Sequence, residues 1–192
     1  MASPRRTGRG NRTPTPSRRH GRGGGRVKDK DAEFVEFVRA KHRHVRRTAF
    51  LLCADWHLAE DLAQATLLKL YRSWSRVRRA DSVDAYWRTV LVRTVIDHRR
   101  PLKGSERPVA EPPDLPADEV EHGHGIDVQR ALATLPPGQR AAVVLRYWED
   151  QSVAQTAKLL KCGEGTVKSQ CAKGLAALRR ELAGTLDKGG VA

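Results

Sequence analysis

An arginine-rich loop followed by aromatic residues has the composition of a nucleic-acid binding site. Segment 76–82 holds three arginines and ends in an acid and a serine, and two aromatic residues come next: Arg76, Arg78, Arg79, Asp81, Ser82, Tyr86 and Trp87. Guanidinium groups bind phosphates, and aromatic rings stack on unpaired bases. The loop is therefore a candidate site for single-stranded nucleic acid. The alternative is that Tyr86 and Trp87 lie in a helical core and the arginines are solvated.

A second polar set lies on one face of a predicted helix near the C-terminus: Thr166, Lys168, Ser169, Gln170 and Lys173. Lysine and glutamine side chains reach bases or phosphates, and hydroxyl groups can bind either. This face is a candidate reader of duplex DNA.

The cysteines and histidines do not form a metal-binding or catalytic pattern. Cys53, Cys162 and Cys171 are an odd number without a CxxC pair, which excludes a disulfide framework and a four-ligand zinc site. Walker, HExxH and nucleophile-elbow motifs are missing from the sequence. The sequence therefore predicts no metal, no cofactor and no enzymatic activity. Reduced cysteines favour the cytoplasm, and no apolar run approaches the roughly 20 residues of a membrane span.

Charge divides the 192 residues into unlike segments, although the whole chain carries a net charge of +14, which indicates a polyanionic partner. Residues 1–30 are basic and nearly devoid of large apolar residues, so we expect a disordered tail. Residues 101–125 are acidic and rich in proline and glycine, which predicts a linker. The fold class expected is all-α: helical domains at 31–100 and 126–183, a flexible linker between them, and a flexible C-terminal tail at 184–192.

Apolar residues at three- and four-residue steps predict three helices in the first domain. The first begins near Glu33, the second runs from near His57 to Trp74, and the third occupies 83–100. Asp81 or Ser82 would cap the third helix, and Pro101 would end it. In the second helix either Ala65 or Thr66 would face the core.

The second domain is predicted to hold four helices, at 128–135, 139–148, 153–160 and 165–182. The last two flank a tight turn, 161–164, and form a helix-turn-helix whose second helix reads DNA. Its buried stripe would consist of Val167, Cys171, Gly174, Leu175 and Leu178. A purely structural four-helix bundle is the alternative.

Four segments in this order and spacing resemble the extracytoplasmic-function (ECF) group of bacterial RNA polymerase sigma factors, in particular the actinobacterial SigE-like subfamily. They are AEDLAQATLLKLYRSW at 59–74, DAYWRTVLVRTVIDHRR at 84–100, LPPGQRAAVVLRYWED at 135–150 and GEGTVKSQ at 163–170. The resemblance covers roughly residues 31–183.

The resemblance implies a role for each segment. The second helix would dock on core RNA polymerase through Asp61, Gln64, Leu68 and Arg72. The loop and the third helix would melt and bind the −10 promoter element through Arg76, Arg78, Arg79, Asp81, Ser82, Trp87 and Arg88. The helix-turn-helix would read the −35 element through Thr166, Lys168, Ser169, Gln170 and Lys173. Implied partners are core polymerase and promoter DNA, with an anti-sigma factor as a further candidate.

The sequence departs from the family pattern at two places. Lys161 and Gly163 stand where relatives usually carry glycine and serine, which predicts a weakened helix-turn-helix. Ala65 and Leu67 stand where many relatives carry an acid and a phenylalanine. The main rival function is a stand-alone helix-turn-helix regulator, which would bind duplex DNA tightly without polymerase.

Overall fold

A computed structural model describes residues 24–99 and 124–189 of the chain, with side chains for 30–99 and 127–183. Its helices are α1 (Gly24–Cys53), α2 (Trp56–Val77), α3 (Val83–Arg99), α4 (His124–Thr134), α5 (Pro137–Val143), α6 (Val153–Leu160) and α7 (Glu164–Gly189), and a π-helical turn (Val144–Trp148) continues α5. The all-α prediction is confirmed. We call α1–α3 the N-terminal helical domain and α4–α7 the C-terminal helical domain.

The first helix begins earlier than expected. Its backbone is helical from Gly24, inside the segment predicted to be a disordered tail; residues 1–23 of that segment lie outside the described residues. Two residues ahead of the predicted start at Glu33 contact α2: the Lys30 ammonium lies 4.5 Å from the centre of the Tyr71 ring, and the Tyr71 hydroxyl donates to the Asp31 carboxylate at 2.9 Å. These partners are about 40 residues apart, so local composition could not reveal them.

Helices α2 and α3 follow the predicted apolar stripes. Asp55 caps α2 by accepting from the Leu58 backbone N–H, and Thr66 rather than Ala65 is the buried residue. The Ser82 hydroxyl accepts from the Ala85 N–H at the start of α3. The helix ends at Arg99, close to the predicted limit, because proline disfavours helical backbone in the residue before it.

Helix α7 packs on the other three helices of the C-terminal helical domain. The predicted stripe of α7 is confirmed, with Val167 fully buried and Cys171 and Leu178 nearly so. Helix α4 begins at His124, inside the predicted linker, whose residues 101–123 lie outside the described part. Helix α7 runs to Gly189, so residues 184–189 are helical rather than the predicted flexible tail.

The turn of the helix-turn-helix carries the expected backbone strain. Lys161 ends α6 in the left-handed conformation, with φ 54° and ψ 46°. A Cβ atom disfavours this region by on the order of 1 kcal/mol. Gly163 precedes α7 and its carbonyl accepts from the Val167 N–H, but glycine has no side chain with which to cap the helix.

The double variant Lys161→Gly, Gly163→Ser is expected to raise the stability of the full chain by about 1 kcal/mol and its thermal midpoint by about 2–5 °C. Circular dichroism during a thermal scan measures the midpoint. Lys161→Ala is the matched control, because alanine keeps the Cβ and should leave the midpoint unchanged. Equal midpoints for the double variant and the wild-type chain would contradict the strain account.

One large hydrophobic cluster spans both helical domains, while the helix-turn-helix also keeps a smaller cluster of its own. Val45 and Leu91 of the N-terminal helical domain belong to the same buried cluster as Leu135, Val144 and Leu145 of the C-terminal helical domain. Helix α1 packs on α4, α5 and the π-helical turn as well as on α2 and α3. Among the helices described, none has the length and apolar character that a bilayer crossing requires.

Candidate nucleic-acid and polymerase interfaces

The outer face of α7 presents the predicted DNA-reading residues. Thr166, Lys168, Ser169 and Lys173 are exposed, opposite the buried stripe. Gln170 is half-buried, because its amide packs beside Gly138 at the start of α5. Four of the five predicted side chains are therefore accessible on one helix surface.

The arginine-rich loop offers fewer free cations than predicted. Arg76 and Arg79 are exposed, and Arg76 donates to the Tyr86 hydroxyl at 3.0 Å. Arg78 instead forms an ion pair with Glu33 of α1, with 2.6 Å between Nη1 and Oε1. This pair ties the end of α2 to α1, so Arg78 is occupied where the sequence predicted a phosphate contact. Asp81 and Ser82 are exposed beside Arg79.

The prediction that Trp87 belongs to the −10 site is corrected by the structure, because the Trp87 side chain lies in the core. It is 0% exposed, and its indole N–H donates to Asp84 at 3.0 Å. Asp84 also pairs with Lys41 of α1 at 3.0 Å. Burial raises the pKa of Asp84, but the hydrogen bonds from Lys41 and Trp87 outweigh it and the net pKa is lowered. The ring cannot stack on a base in this arrangement.

Arg88 faces the C-terminal helical domain rather than solvent. Its Nε atom lies 2.5 Å from Oε2 of Glu149, the residue that follows the π-helical turn. The other carboxylate oxygen accepts from the Thr48 hydroxyl at 2.5 Å and lies 2.9 Å from Nε2 of His44. We call this set the Glu149 contact. The Glu149 side chain is 0% exposed, and the three side chains that contact its carboxylate all come from the other domain.

The Glu149 carboxylate is ionised at neutral pH despite its burial. Burial alone raises its pKa, but the hydrogen bonds from His44, Thr48 and Arg88 more than offset this effect and the net pKa is lowered. An ionised acid bound by three donors is a strong, geometrically specific contact. Sequence reasoning missed this contact, and no local signal marks it, because Glu149 and Thr48 are 101 residues apart.

The predicted polymerase-docking residues form an exposed row along α2. Asp61, Gln64, Leu68 and Arg72 are all exposed, and Leu68 is 51% exposed despite being apolar. Leu67 instead packs against the core. At the start of the row, Asp61 lines a cavity of about 400 Å³ together with Trp56 and His57.

The cysteines do not form a reactive site in the described part of the chain. All three are free thiols, and burial raises the pKa of Cys53 to about 11 and also raises that of Cys171. Both thiols are therefore protonated at neutral pH. The described residues contain no cluster of metal-binding side chains.

Both helical domains match known protein families. The description "Sigma-70 region 2" matches residues 37–103, and "Sigma-70, region 4" matches residues 126–178. The first range covers most of α1–α3 and the second covers α4 to the middle of α7. Both regions occur in the order that the sequence segments predicted.

Individual sigma factors are similar to this chain over most of its length. The RNA polymerase sigma-E factor of Streptomyces coelicolor is 37% identical over 155 residues, which cover 78% of this chain and 86% of the relative. The ECF RNA polymerase sigma factor SigM of Mycobacterium tuberculosis is 34% identical over 179 residues, covering 86% and 91%.

The solved structure of sigma factor RpoE with the anti-sigma factor NepR from Bartonella quintana supports the fold, with a TM-score of 0.62 and 23% identity over 79% of this chain and 97% of that chain. The region 2 match also excludes the rival interpretation, a regulator built on the helix-turn-helix alone. The chain therefore belongs to the sigma-70 family and is an ECF sigma factor similar to the sigma-E factors of actinobacteria.

Proposed function

We propose that the chain binds core RNA polymerase in the cytoplasm and directs initiation at specific promoters through the residues located above. It performs no chemistry itself, because polymerase supplies the reaction. The observation that carries the proposal is that the α2 row and the α7 face are both exposed, each on the side of its helix that points away from the buried residues. Each face can thus receive a partner without unfolding its domain.

The α2 row supports polymerase docking through its chemistry. Leu68 supplies an exposed apolar anchor, while Asp61 and Arg72 on the same helix face supply charges of both signs. Interfaces typically combine a small apolar centre with a polar rim. We therefore propose that Leu68 is the centre of the polymerase contact.

For the −10 element we propose a narrower set than the sequence predicted. Arg76 and Arg79 bind the phosphates of the opened strand, and Asp81 and Ser82 contact the flipped base. Unstacking a base costs a few kcal/mol, which new polar and stacking contacts must offset. Trp87 supports this surface from within the core and does not touch DNA.

For the −35 element we propose that α7 enters the major groove with its N-terminal half. Lys168 and Lys173 contact phosphates or base edges. The hydroxyl groups of Thr166 and Ser169 donate hydrogen bonds to the same groove, or accept them. Gln170 contributes less because it packs beside Gly138.

Multi-round transcription with purified core polymerase and a genomic promoter library tests the function. The expected result is a discrete set of start sites with a shared sequence motif upstream. Initiation at no promoter would overturn the proposal.

Leu68→Glu is expected to weaken binding to core polymerase at least about tenfold, because it places a charge where an apolar anchor must be desolvated. Fluorescence anisotropy of the labelled chain, titrated with core polymerase, measures the affinity. Val35→Glu on α1 is the matched control, since Val35 is also an exposed aliphatic residue, 45% exposed. Equal losses in the two variants would contradict a specific role for Leu68.

A further inference from the structure

The chain enters α1 beside the arginine-rich loop at 76–82. Helices α1 and α2 run antiparallel, because Arg46 of α1 pairs with Glu60 near the start of α2 at 3.5 Å, whereas Glu33 pairs with Arg78 just after its end at 2.6 Å. Gly24, the first residue of α1, precedes Glu33 by nine residues, or about 14 Å along the helix axis. Whatever precedes Gly24 is therefore attached at the end of the domain that carries the loop.

The segment attached there, residues 1–23, is strongly basic. It contains seven arginines and no acidic residue, and it lacks leucine, isoleucine, valine and aromatic residues. The arginines are Arg5, Arg6, Arg9, Arg12, Arg18, Arg19 and Arg22. Their charges equal half of the net charge of +14, and all seven lie outside the ranges that match sigma-70 regions 2 and 4. The promoter-reading surfaces described above leave this charge without a role.

The first two acidic side chains described in α1 already have partners. The Asp31 carboxylate accepts from the Tyr71 hydroxyl at 2.9 Å, and the Lys30 ammonium lies over the same ring. Glu33 is held by Arg78. Because both carboxylates are engaged within the domain, the seven arginines indicate a polyanion outside it.

The residue types of this segment match a phosphate backbone. Guanidinium groups bind phosphate oxygens through paired hydrogen bonds. The segment has no aromatic ring to stack on a base and no large apolar side chain to insert into a membrane. Such a composition suits duplex DNA bound through its backbone without sequence preference. The DNA closest to Gly24 in the proposed initiation complex is the −10 element, because Arg76 and Arg79 of the adjoining loop are exposed.

We propose that residues 1–23 act as an electrostatic arm, which binds the phosphates flanking the −10 element and adds affinity without adding sequence specificity. This inference rests on the proposed −10 role of the loop. A stretch of 23 residues spans at most about 80 Å, which corresponds to roughly 23 base pairs at 3.4 Å each. Once the loop holds the −10 element, binding by the arm is intramolecular and therefore favoured by a high effective concentration.

Anisotropy titrations of the free full chain test whether the arm binds DNA. The probes are two fluorescein-labelled duplexes of unrelated sequence, each of about 24 base pairs, titrated over a salt series. In the test variant all seven arginines are replaced with glutamine, and in the matched control all seven are replaced with lysine, which keeps both the charge and the length.

The glutamine variant is expected to bind both duplexes at least about tenfold more weakly at about 0.1 M salt. The slope of log affinity against log salt should fall by about three or more, because each phosphate contact contributes about 0.9 to it. The lysine variant should stay within about twofold of the wild-type chain, because lysine and arginine neutralise the same number of phosphates.

Photo-crosslinking in holoenzyme tests where the arm lies. The photoreactive residue p-benzoylphenylalanine replaces Ser17, which precedes Gly24 by seven residues, at most about 25 Å. On a promoter recovered from the library, crosslinks mapped by primer extension are expected within about ten base pairs of the −10 element, given a spacing of 3.4 Å per base pair. The same photoreactive residue at Ala154, exposed on α6 of the C-terminal helical domain, is the control and should give no crosslink there.

Three results would overturn the inference. Unchanged affinity and slope in the glutamine variant would show that residues 1–23 do not bind DNA. Equal losses in the glutamine and lysine variants would show that charge alone does not determine the contact. Crosslinks to polymerase, to RNA or to DNA outside the stated window would refute the placement beside the −10 element.

The two tests also separate this inference from the proposed function. The anisotropy titration uses neither polymerase nor a promoter, so its outcome does not depend on the promoter-library transcription. DNA binding by the arm together with initiation at no promoter would refute the placement and the proposed function while keeping the arm as a DNA-binding segment. Successful initiation with an unchanged glutamine variant would refute the arm alone.

Discussion

Replacing Trp87 with alanine is expected to lower the free energy of unfolding by about 3–5 kcal/mol, a large fraction of the total for a protein of this size. The side chain is completely buried, so alanine leaves a cavity at the centre of α1–α3. It also removes the indole hydrogen bond to Asp84 and the edge-on contact with His44, whose ring centre lies 5.4 Å away. Urea unfolding followed by circular dichroism measures the loss.

Two further variants test whether the loss of stability comes from the burial of Trp87 and not from the loss of an aromatic side chain as such. Trp87→Phe keeps an aromatic ring but loses the hydrogen bond, so we expect a smaller loss of about 1–2 kcal/mol. Tyr147→Ala removes an aromatic residue that is 59% exposed and should change stability by less than about 1 kcal/mol. A stable Trp87→Ala protein with impaired DNA binding would restore the original interpretation of Trp87 as a base-stacking residue.

Promoter binding by holoenzyme is expected to weaken about tenfold to a hundredfold when Lys168 and Lys173 are both replaced with alanine. Both side chains are exposed on the reading face of α7, and neither supports the core. If both contact phosphates, the slope of log affinity against log salt should also fall by about two. Filter binding of holoenzyme to a promoter recovered from the library, repeated over a salt series, measures both quantities.

Arg179→Ala combined with Arg180→Ala is the charge-matched control for these lysines. Both arginines are exposed further along α7 and remove the same net charge. We expect the control to lower affinity by no more than about threefold, through long-range electrostatics alone. An equal loss in the two double variants would mean that the overall charge of the helix, and not its placement, determines binding.

Local signals in the sequence were enough to predict most helices. Ser82 and Pro101 set the limits of α3, and the spacing of Val167, Cys171 and Leu178 separated the buried face of α7 from its reading face. Even Trp87 lies on the apolar stripe of α3, so periodicity alone pointed to the core. The family resemblance led to its assignment to the DNA surface, because aromatic residues near the loop were expected to stack on bases.

Features that depend on partners distant in sequence could not be predicted. Asp31 of α1 accepts from Tyr71, 40 residues downstream, and Arg78 is occupied by Glu33, 45 residues upstream. The Glu149 contact spans more than 60 residues to Arg88 and about 100 to Thr48. The π-helical turn that precedes Glu149 has no distinguishing residue pattern from which it could be predicted.

The hydrophobic cluster that spans both domains couples substitutions in one domain to the packing of the other. Leu135 and Val144 lie in the C-terminal helical domain, yet they pack in the same cluster as Val45 and Leu91 of the N-terminal helical domain. Substitutions among residues in contact are not additive. A substitution at one of these buried positions therefore alters the packing of the neighbouring domain as well as that of its own. We therefore expect tolerated changes in this cluster to come as compensating pairs, one in each domain, whereas an exposed position such as Lys168 can change without disturbing either domain.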